Sequence, residues 1–333
     1  MTGRMATRNS LRKIRPELAE ILAAKKYLAL RFGPTRLVEA TSLGRDAGAH
    51  VYLKLEMELP TGSFKVRGAM WALSEKLRTQ AVGEVVASST GNHGAAVAYA
   101  AQQLGVKARI FLPEKNNPVK RLRIMELGAE IVEKGSEDLA AAWKAAEEYS
   151  RDTGAYFLND ATDPVLPAGP ATIGCEILEQ LPSVQEVFVP MGDTALIRGV
   201  AAAIKQQKPN VKIIGVQAVT APSYFLSWKS GVPTETETCA TVADGLSTRT
   251  PDAINVRAIC ELVDDVVLVS DDEMLRAIAL LSLQENLIAE PAGAAATAAI
   301  LKQKPDAKVM SVALVTGANV PREILQRALQ LSA

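Results

Sequence analysis

Short, nearly uninterrupted apolar runs alternate with stretches of helical period along most of this chain. Runs over 51–55, 84–88, 108–112, 130–133, 156–159, 186–190, 212–216, 265–269 and 309–315 read as strands. Several are apolar at almost every position, the pattern of parallel strands buried on both faces. Between them, helical patterns cover 92–104, 118–127, 137–151, 171–181, 194–205, 271–285 and 291–302. An earlier helix is expected with Val66, Met70, Leu73 and Leu77 on one face. Another, after a frayed start, should carry Leu11, Ile14, Leu18 and Leu22 on one side. This alternation predicts an α/β architecture with right-handed crossovers. Ligands of such sheets bind beyond the carboxyl ends of the strands. Functional residues are therefore expected where a strand ends and a helix begins.

Four such loops stand out. Pro60-Thr61-Gly62-Ser63-Phe64-Lys65-Val66-Arg67-Gly68-Ala69 puts Lys65 at a helix N-terminus. The helix dipole disfavours the charged amine there, and partial burial should lower its pKa further. A neutral lysine serves as nucleophile, Schiff-base partner or proton carrier; the plain alternative is a solvated first-turn residue. Ser88-Ser89-Thr90-Gly91-Asn92-His93-Gly94 offers small hydroxyls and free backbone N–H groups that suit a carboxylate. Its plain reading is a helix entry capped by Ser89 or Thr90, with His93 a structural hydrogen-bonder rather than a base. The amides of Gly192-Asp193-Thr194-Ala195 could cradle a phosphate. Asp193 counts against that, since a carboxylate about 4 Å from a phosphate costs roughly 4 kcal/mol per charge pair at an effective dielectric near 20. Asp193 is thus expected to point away, to pair with a cation such as Arg198, or to mark the absence of a phosphate. Thr316-Gly317-Ala318-Asn319 follows the last strong strand and adds a hydroxyl.

Composition narrows the chemistry. The chain has 333 residues, 48% of them hydrophobic, with 37 basic and 37 acidic side chains. It is long enough for one large or two ordinary domains, and its zero formal charge argues against nucleic-acid binding. Cys175, Cys239 and Cys260 are scattered, as reduced thiols of a cytoplasmic protein would be. No apolar run reaches membrane-spanning length. Only two histidines occur, His50 and His93. That excludes a site built on several histidines and leaves Lys65 as the obvious proton carrier.

These residues carry a resemblance. Ser63-Phe64-Lys65-Val66-Arg67-Gly68-Ala69 together with Gly91-Asn92-His93-Gly94 is similar to the serine/threonine dehydratase and serine racemase family of pyridoxal-phosphate enzymes, of the tryptophan-synthase-β fold type. Ala243-Asp244-Gly245 and Glu290-Pro291-Ala292-Gly293 add to it, and the likeness runs from about Pro34 to Asn319. The resemblance implies that Lys65 holds pyridoxal 5'-phosphate covalently and then moves the Cα proton. Phe64 would pack beside the cofactor, Asn92 would bind its phenolic oxygen, and Gly192, Asp193, Thr194 and Ala195 would surround its phosphate. Gly245 would lie near the ring and Thr316 would face the pyridine nitrogen. Ser89, Thr90, Gly91, Asn92 and His93 would receive the substrate, with Thr90 a second catalytic hydroxyl.

The expected fold is α/β, with two domains of mainly parallel twisted sheets and the cofactor in the cleft between them. Residues 1–83 and 160–333 would form the larger domain and 84–159 the smaller. The expected reaction is deaminating dehydration of a β-hydroxy amino acid such as threonine or serine, by a cytoplasmic homodimer in amino-acid catabolism. A neutral hydroxyl opposite the pyridine nitrogen favours elimination. Thr90, where serine racemases carry serine, makes racemisation the less favoured alternative. Phenylserine or 3-hydroxyaspartate as substrate, β-replacement chemistry, and a non-catalytic ligand-binding protein are the others. Residues 215–223 lack the acidic ligands of the racemase metal site, so no metal is expected there. The chain ends soon after Asn319, so no appended regulatory domain is expected.

Overall fold

The computed structural model describes residues 15–89, 91–114, 118–135 and 139–331. The chain opens with α1 (Leu18–Leu28), β1 (Leu37–Glu39), α2 (Thr41–Ala47) and β2 (His50–Leu55). A 3-10 turn over Glu56–Glu58 leads to α3 (Lys65–Thr79). Then follow β3 (Glu84–Ser88), α4 (Asn92–Leu104), β4 (Lys107–Leu112), α5 (Pro118–Glu126), β5 (Glu130–Glu133), α6 (Leu139–Thr153) and β6 (Tyr156–Phe157). Next come α7 (Ala168–Gln180), β7 (Glu186–Pro190), α8 (Ala195–Gln207), β8 (Lys212–Ala218) and α9 (Ser223–Ser230). The remainder holds a 3-10 turn (Asp244–Leu246), α10 (Ala253–Leu262), β9 (Asp265–Val269), α11 (Asp271–Gln284), α12 (Pro291–Gln303), β10 (Met310–Val315) and α13 (Arg322–Gln330).

The strands form two sheets. The larger has the order β1-β2-β10-β7-β8-β9 and the smaller β5-β4-β3-β6. Every pairing is parallel except that of the edge strand β1 with β2. The α/β expectation therefore holds. Register in the larger sheet sets Val312 beside both Tyr52 and Val187, and Val187 beside Ile213. Successive side chains point to opposite faces. Val187 and Val189 thus pack with Ile173, Ile197 and Val200 from α7 and α8 on one side. Phe188 packs with Met274, Ile278 and Ile300 from α11 and α12 on the other. Val66, Met70 and Leu73 of α3 join Val85, Ala87 and Ile110 in the core around the smaller sheet. Each such large aliphatic side chain contributes about 1.5–3 kcal/mol by burial.

The elements absent from the sequence expectation include α9 and α10, of eight and ten residues, and two shorter ones. Strand β1 has three residues and α2 seven, too few for periodicity to register. The N-terminal helix was assigned the wrong face. Ile21, Ala24 and Leu28 are its buried residues, and Leu22 is 49% exposed. The reason is tertiary: Ile21 docks on the core of the larger sheet and Leu28 on that of the smaller. Leu11 and Ile14 lie outside the described residues. The strand expected over 156–159 stops at Phe157. The Asn159 side chain there accepts from the Ala161 amide at 2.9 Å, closing a local turn. That turn carries Asp160 out of the sheet. Among the described residues, no helix is long and apolar enough to cross a membrane.

Candidate active site

The four strand-to-helix loops converge on one cavity of about 450 Å³. Phe64, Lys65, Ser89, Gly91, Asn92, His93, Gly192, Asp193, Thr194, Ala195, Gly245 and Thr316 all line it. Thr90 lies outside the described residues.

Lys65 is the first residue of α3. The loop before it is pinned to the loop after β10. The Phe64 amide donates to the Thr316 carbonyl at 3.0 Å and the Ala318 amide to the Gly62 carbonyl at 2.9 Å. Gly62 sits at φ +69°, where a side chain would be strained and would collide with Asn319. The Lys65 amine donates to the Asp160 carboxylate. This corrects the expected electrostatics. Burial does oppose the charge, but Asp160, helped by Asp193 and Glu290, outweighs it and raises the Lys65 pKa above the ordinary lysine value. Burial likewise pushes the Asp160 carboxyl up, yet His93 and Lys65 together hold it below the carboxylate range.

Asn92 opens α4 and is held at both ends of its amide. Its Nδ2 donates to Glu290 Oε1 at 2.5 Å, and its Oδ1 accepts from Asn319 Nδ2 at 2.6 Å. Gly317 is required beside this group, because a Cβ there would stand 2.3 Å from Glu290 Oε1. His93 is buried and has its Nε2 at 2.8 Å from the Leu158 carbonyl. The N-cap of α4 is Gly91, with no side-chain capping bond. The expected Ser89 cap is absent, and the Ser89 hydroxyl instead accepts from the Gly91 amide at 3.3 Å. The uncapped start of α4 thus lies in the lining of the cavity, where a carboxylate could meet its free amides.

The 192–195 loop has the geometry of an anion cradle. A Cβ on Gly192 would lie 2.1 Å from the Gly245 carbonyl, so the two loops touch backbone to backbone. Thr194 caps α8 at φ +68°, in the left-handed region that a β-branched residue rarely enters. Its hydroxyl is buried without a hydrogen-bond partner. Strain and an orphaned donor at one residue fit an oxygen-rich ligand at this helix N-terminus. Asp193 does not point away. It lines the cavity, and its Oδ1 accepts from the Thr248 hydroxyl at 3.0 Å. Burial and then Asp160 push its carboxyl pKa up. A shift in that direction lessens the repulsion that a neighbouring anion would meet. Arg198, near by on α8, donates to the Ala161 carbonyl at 2.9 Å. Thr316 is buried at the end of β10, 3.5 Å from the Ala292 carbonyl.

Residues 28–317 match the family model described as pyridoxal-phosphate dependent enzyme. The chain belongs to that family. An L-threonine ammonia-lyase of Geobacter sulfurreducens is 35% identical over 301 residues, spanning 90% of this chain and 75% of that protein. The processed form of threonine deaminase isoform 2 from Solanum lycopersicum superposes with a TM-score of 0.88 at 32% identity, covering 95% of this chain and 87% of that one. Maize serine racemase superposes equally well, at 0.88, with 26% identity and coverage of 94% and 97%. As a pyridoxal-phosphate dependent enzyme, the chain has residues that fit its cofactor. A lysine amine, an orphaned hydroxyl at a helix N-terminus and a backbone close-approach share one cavity. Sequence reasoning assigned no role to Asp160 or Glu290. No local pattern marked the first, which follows directly on the expected strand 156–159. Glu290 was noted only as part of a motif.

Proposed function

We propose that this chain is an ammonia-lyase that converts a β-hydroxy α-amino acid, threonine foremost, to the 2-oxo acid and ammonia. The observation that carries this reading is the shared cavity, whose lining brings Lys65 together with the first residues of α4 and the Gly192–Ala195 loop. The names of the relatives point the substrate toward threonine.

Pyridoxal phosphate, when bound, supplies the electron sink for a carbanion at the substrate's Cα. Lys65 is its anchor and the group that takes the Cα proton. Asn92, fixed by Glu290 and Asn319, would orient it; Gly192, Thr194 and Ala195 would hold its phosphate, with Asp193 beside them. The α4 amides and the Ser89 hydroxyl receive the substrate carboxylate, Phe64 and Gly245 wall the ring, and Thr316 offers its nitrogen a neutral hydroxyl. That neutral partner limits delocalisation of negative charge, so loss of the β-hydroxyl competes well against reprotonation. Residues 1–83 with 160–333 would be the larger domain and 84–159 the smaller, with the cofactor between them, in a cytoplasmic homodimer.

The similarity to serine racemase favours a second reading, in which the Cα proton is returned on the opposite face. Incubation with L-threonine and with L-serine, followed by oxo-acid, ammonia and chiral analysis, separates the two. Oxo acid and ammonia in equal amounts are expected. Inverted amino acid without oxo acid would overturn the lyase reading.

A further inference from the structure

We propose that Asp160, backed by His93, is the positioning residue of Lys65, which orients the amine and stabilises the ammonium formed when it takes the substrate's Cα proton. This rests on the reading of Lys65 as the proton carrier.

The geometry is that of a base with an acid partner behind it. Lys65 Nζ donates to Asp160 Oδ2, and both side chains are largely buried. His93 Nδ1 stands 3.9 Å from the same oxygen. The other ring nitrogen, Nε2, faces the Leu158 carbonyl, which only accepts, so Nε2 carries a hydrogen. The ring is 4% exposed, and Nδ1 has no hydrogen-bond partner. Asp160 thus has the Lys65 amine hydrogen-bonded on one side and the His93 imidazole on the other.

This arrangement has a chemical use. When Lys65 takes a proton from Cα, the C–H electron pair stays with the substrate and the new N–H becomes part of an ammonium already seated on a carboxylate. A partner that stabilises the protonated base makes the abstraction more favourable, as an acid behind a catalytic histidine does. When Lys65 is bonded to the cofactor, Asp160 would be a lone buried carboxylate, which is costly. His93 Nδ1, 3.9 Å from the same oxygen and with no hydrogen-bond partner, is then the polar group left beside that carboxylate. The other charged groups that face Lys65 are Asp193 and Glu290. The hydrogen bond of the amine goes to Asp160, so the assignment falls there.

The test uses two readouts. In the first, apoprotein is mixed with pyridoxal phosphate across a pH series, and the rate of forming a borohydride-reducible adduct on Lys65 is followed. Only the neutral amine attacks, so Asp160→Asn should move the midpoint of this profile down by about one pH unit or more. Asp193→Asn should move it less. In the second, turnover of Cα-deuterated threonine is compared with protiated threonine. Asp160→Asn should lower kcat by about tenfold to a hundredfold, raise the isotope effect and leave KM nearly unchanged. His93→Gln keeps an N–H for the Leu158 carbonyl and should weaken the adduct, and the double variant should be no worse than Asp160→Asn alone. An unmoved adduct profile in Asp160→Asn overturns the proposal, as do additive losses in the double variant. The adduct profile needs no substrate, so it stands even where wild-type protein makes no oxo acid from threonine, an outcome that overturns the lyase reading instead.

Discussion

Lys65 and Arg67 are two residues apart on α3 and end in opposite environments. Residues at i and i+2 of a helix face away from each other. Arg67 turns into the protein and meets two carboxylates. Its Nε and Nη2 reach Glu56 at 2.8 and 2.9 Å, and its Nη1 and Nη2 reach Glu176 at 2.6 and 2.9 Å. Nη1 also donates to the Thr172 hydroxyl at 2.9 Å. Lys54 completes the group, donating to Glu176, the Thr35 carbonyl and Gln180 at 2.6, 2.8 and 2.9 Å. Two cations face two carboxylates there, and the donors of both cations are engaged. Around Lys65 the balance is different. Lys65 and Arg198 face Asp160 and Asp193, with Glu290 also near the lysine, while Thr194 Oγ1 and His93 Nδ1 have no hydrogen-bond partner. A closed polar network specifies structure, whereas an unbalanced one with orphaned atoms is prepared for a ligand.

Substitutions sharpen this contrast, and the largest effect is expected at the open end. Lys65→Ala should abolish the borohydride-reducible adduct and reduce turnover at least about 10³-fold. Retained turnover would erase the distinction between Lys65 and Arg67. Arg67→Met should do the reverse, costing about 3–5 kcal/mol in urea unfolding because it leaves buried carboxylates without their cation. Its acid sensitivity is a separate check. Burial raises the Glu176 carboxyl pKa, but Arg67 and Lys54 more than reverse this and hold it below its ordinary 4.5. A lowered folded-state pKa means stability that is present above pH 4.5 and lost as pH falls through the folded value. Arg67→Met should therefore shift the acid-unfolding midpoint to higher pH.

Smaller effects belong to the cradle. Gly192→Ala must displace the Gly245 carbonyl, and a loss of cofactor affinity of about tenfold or more, near 1.4 kcal/mol, is expected by titration of the absorbance. Thr194→Gly releases a β-branched residue from positive φ, so thermal stability should rise by up to about 1 kcal/mol. The same change removes the orphaned hydroxyl and should weaken cofactor binding by about 1 kcal/mol. A variant that gains stability and affinity together would show that this hydroxyl is not part of the cradle.

Much of this was legible beforehand because it depends on local pattern. The runs at 84–88, 130–133, 186–190 and 265–269 became strands with those bounds, since continuous apolar runs bounded by turns leave few alternatives. Lys65, Asn92, Gly192 and Thr316 could be singled out because each sits where a strand gives way to a helix. Asp160 was hidden for the opposite reason. It looked like the end of a strand, and only the pairing of β6 with β3 shows where that strand stops. The protonation of Lys65 was misjudged in the same way. Helix position and burial argue for a lowered pKa, but a carboxylate 95 residues away in sequence reverses the sign.

The order of apolar and polar residues by itself determined the alternation of strands and helices, the parallel class of the sheets and the loops that hold the chemistry, because these follow from side-chain period and backbone preference over a few residues. The tertiary structure alone decided which carboxylate meets which cation. It sent Arg67 to Glu56 and Glu176, and Lys65 to Asp160. Charge interactions act through space and depend on burial, so they are set by how distant segments pack and not by their order along the chain.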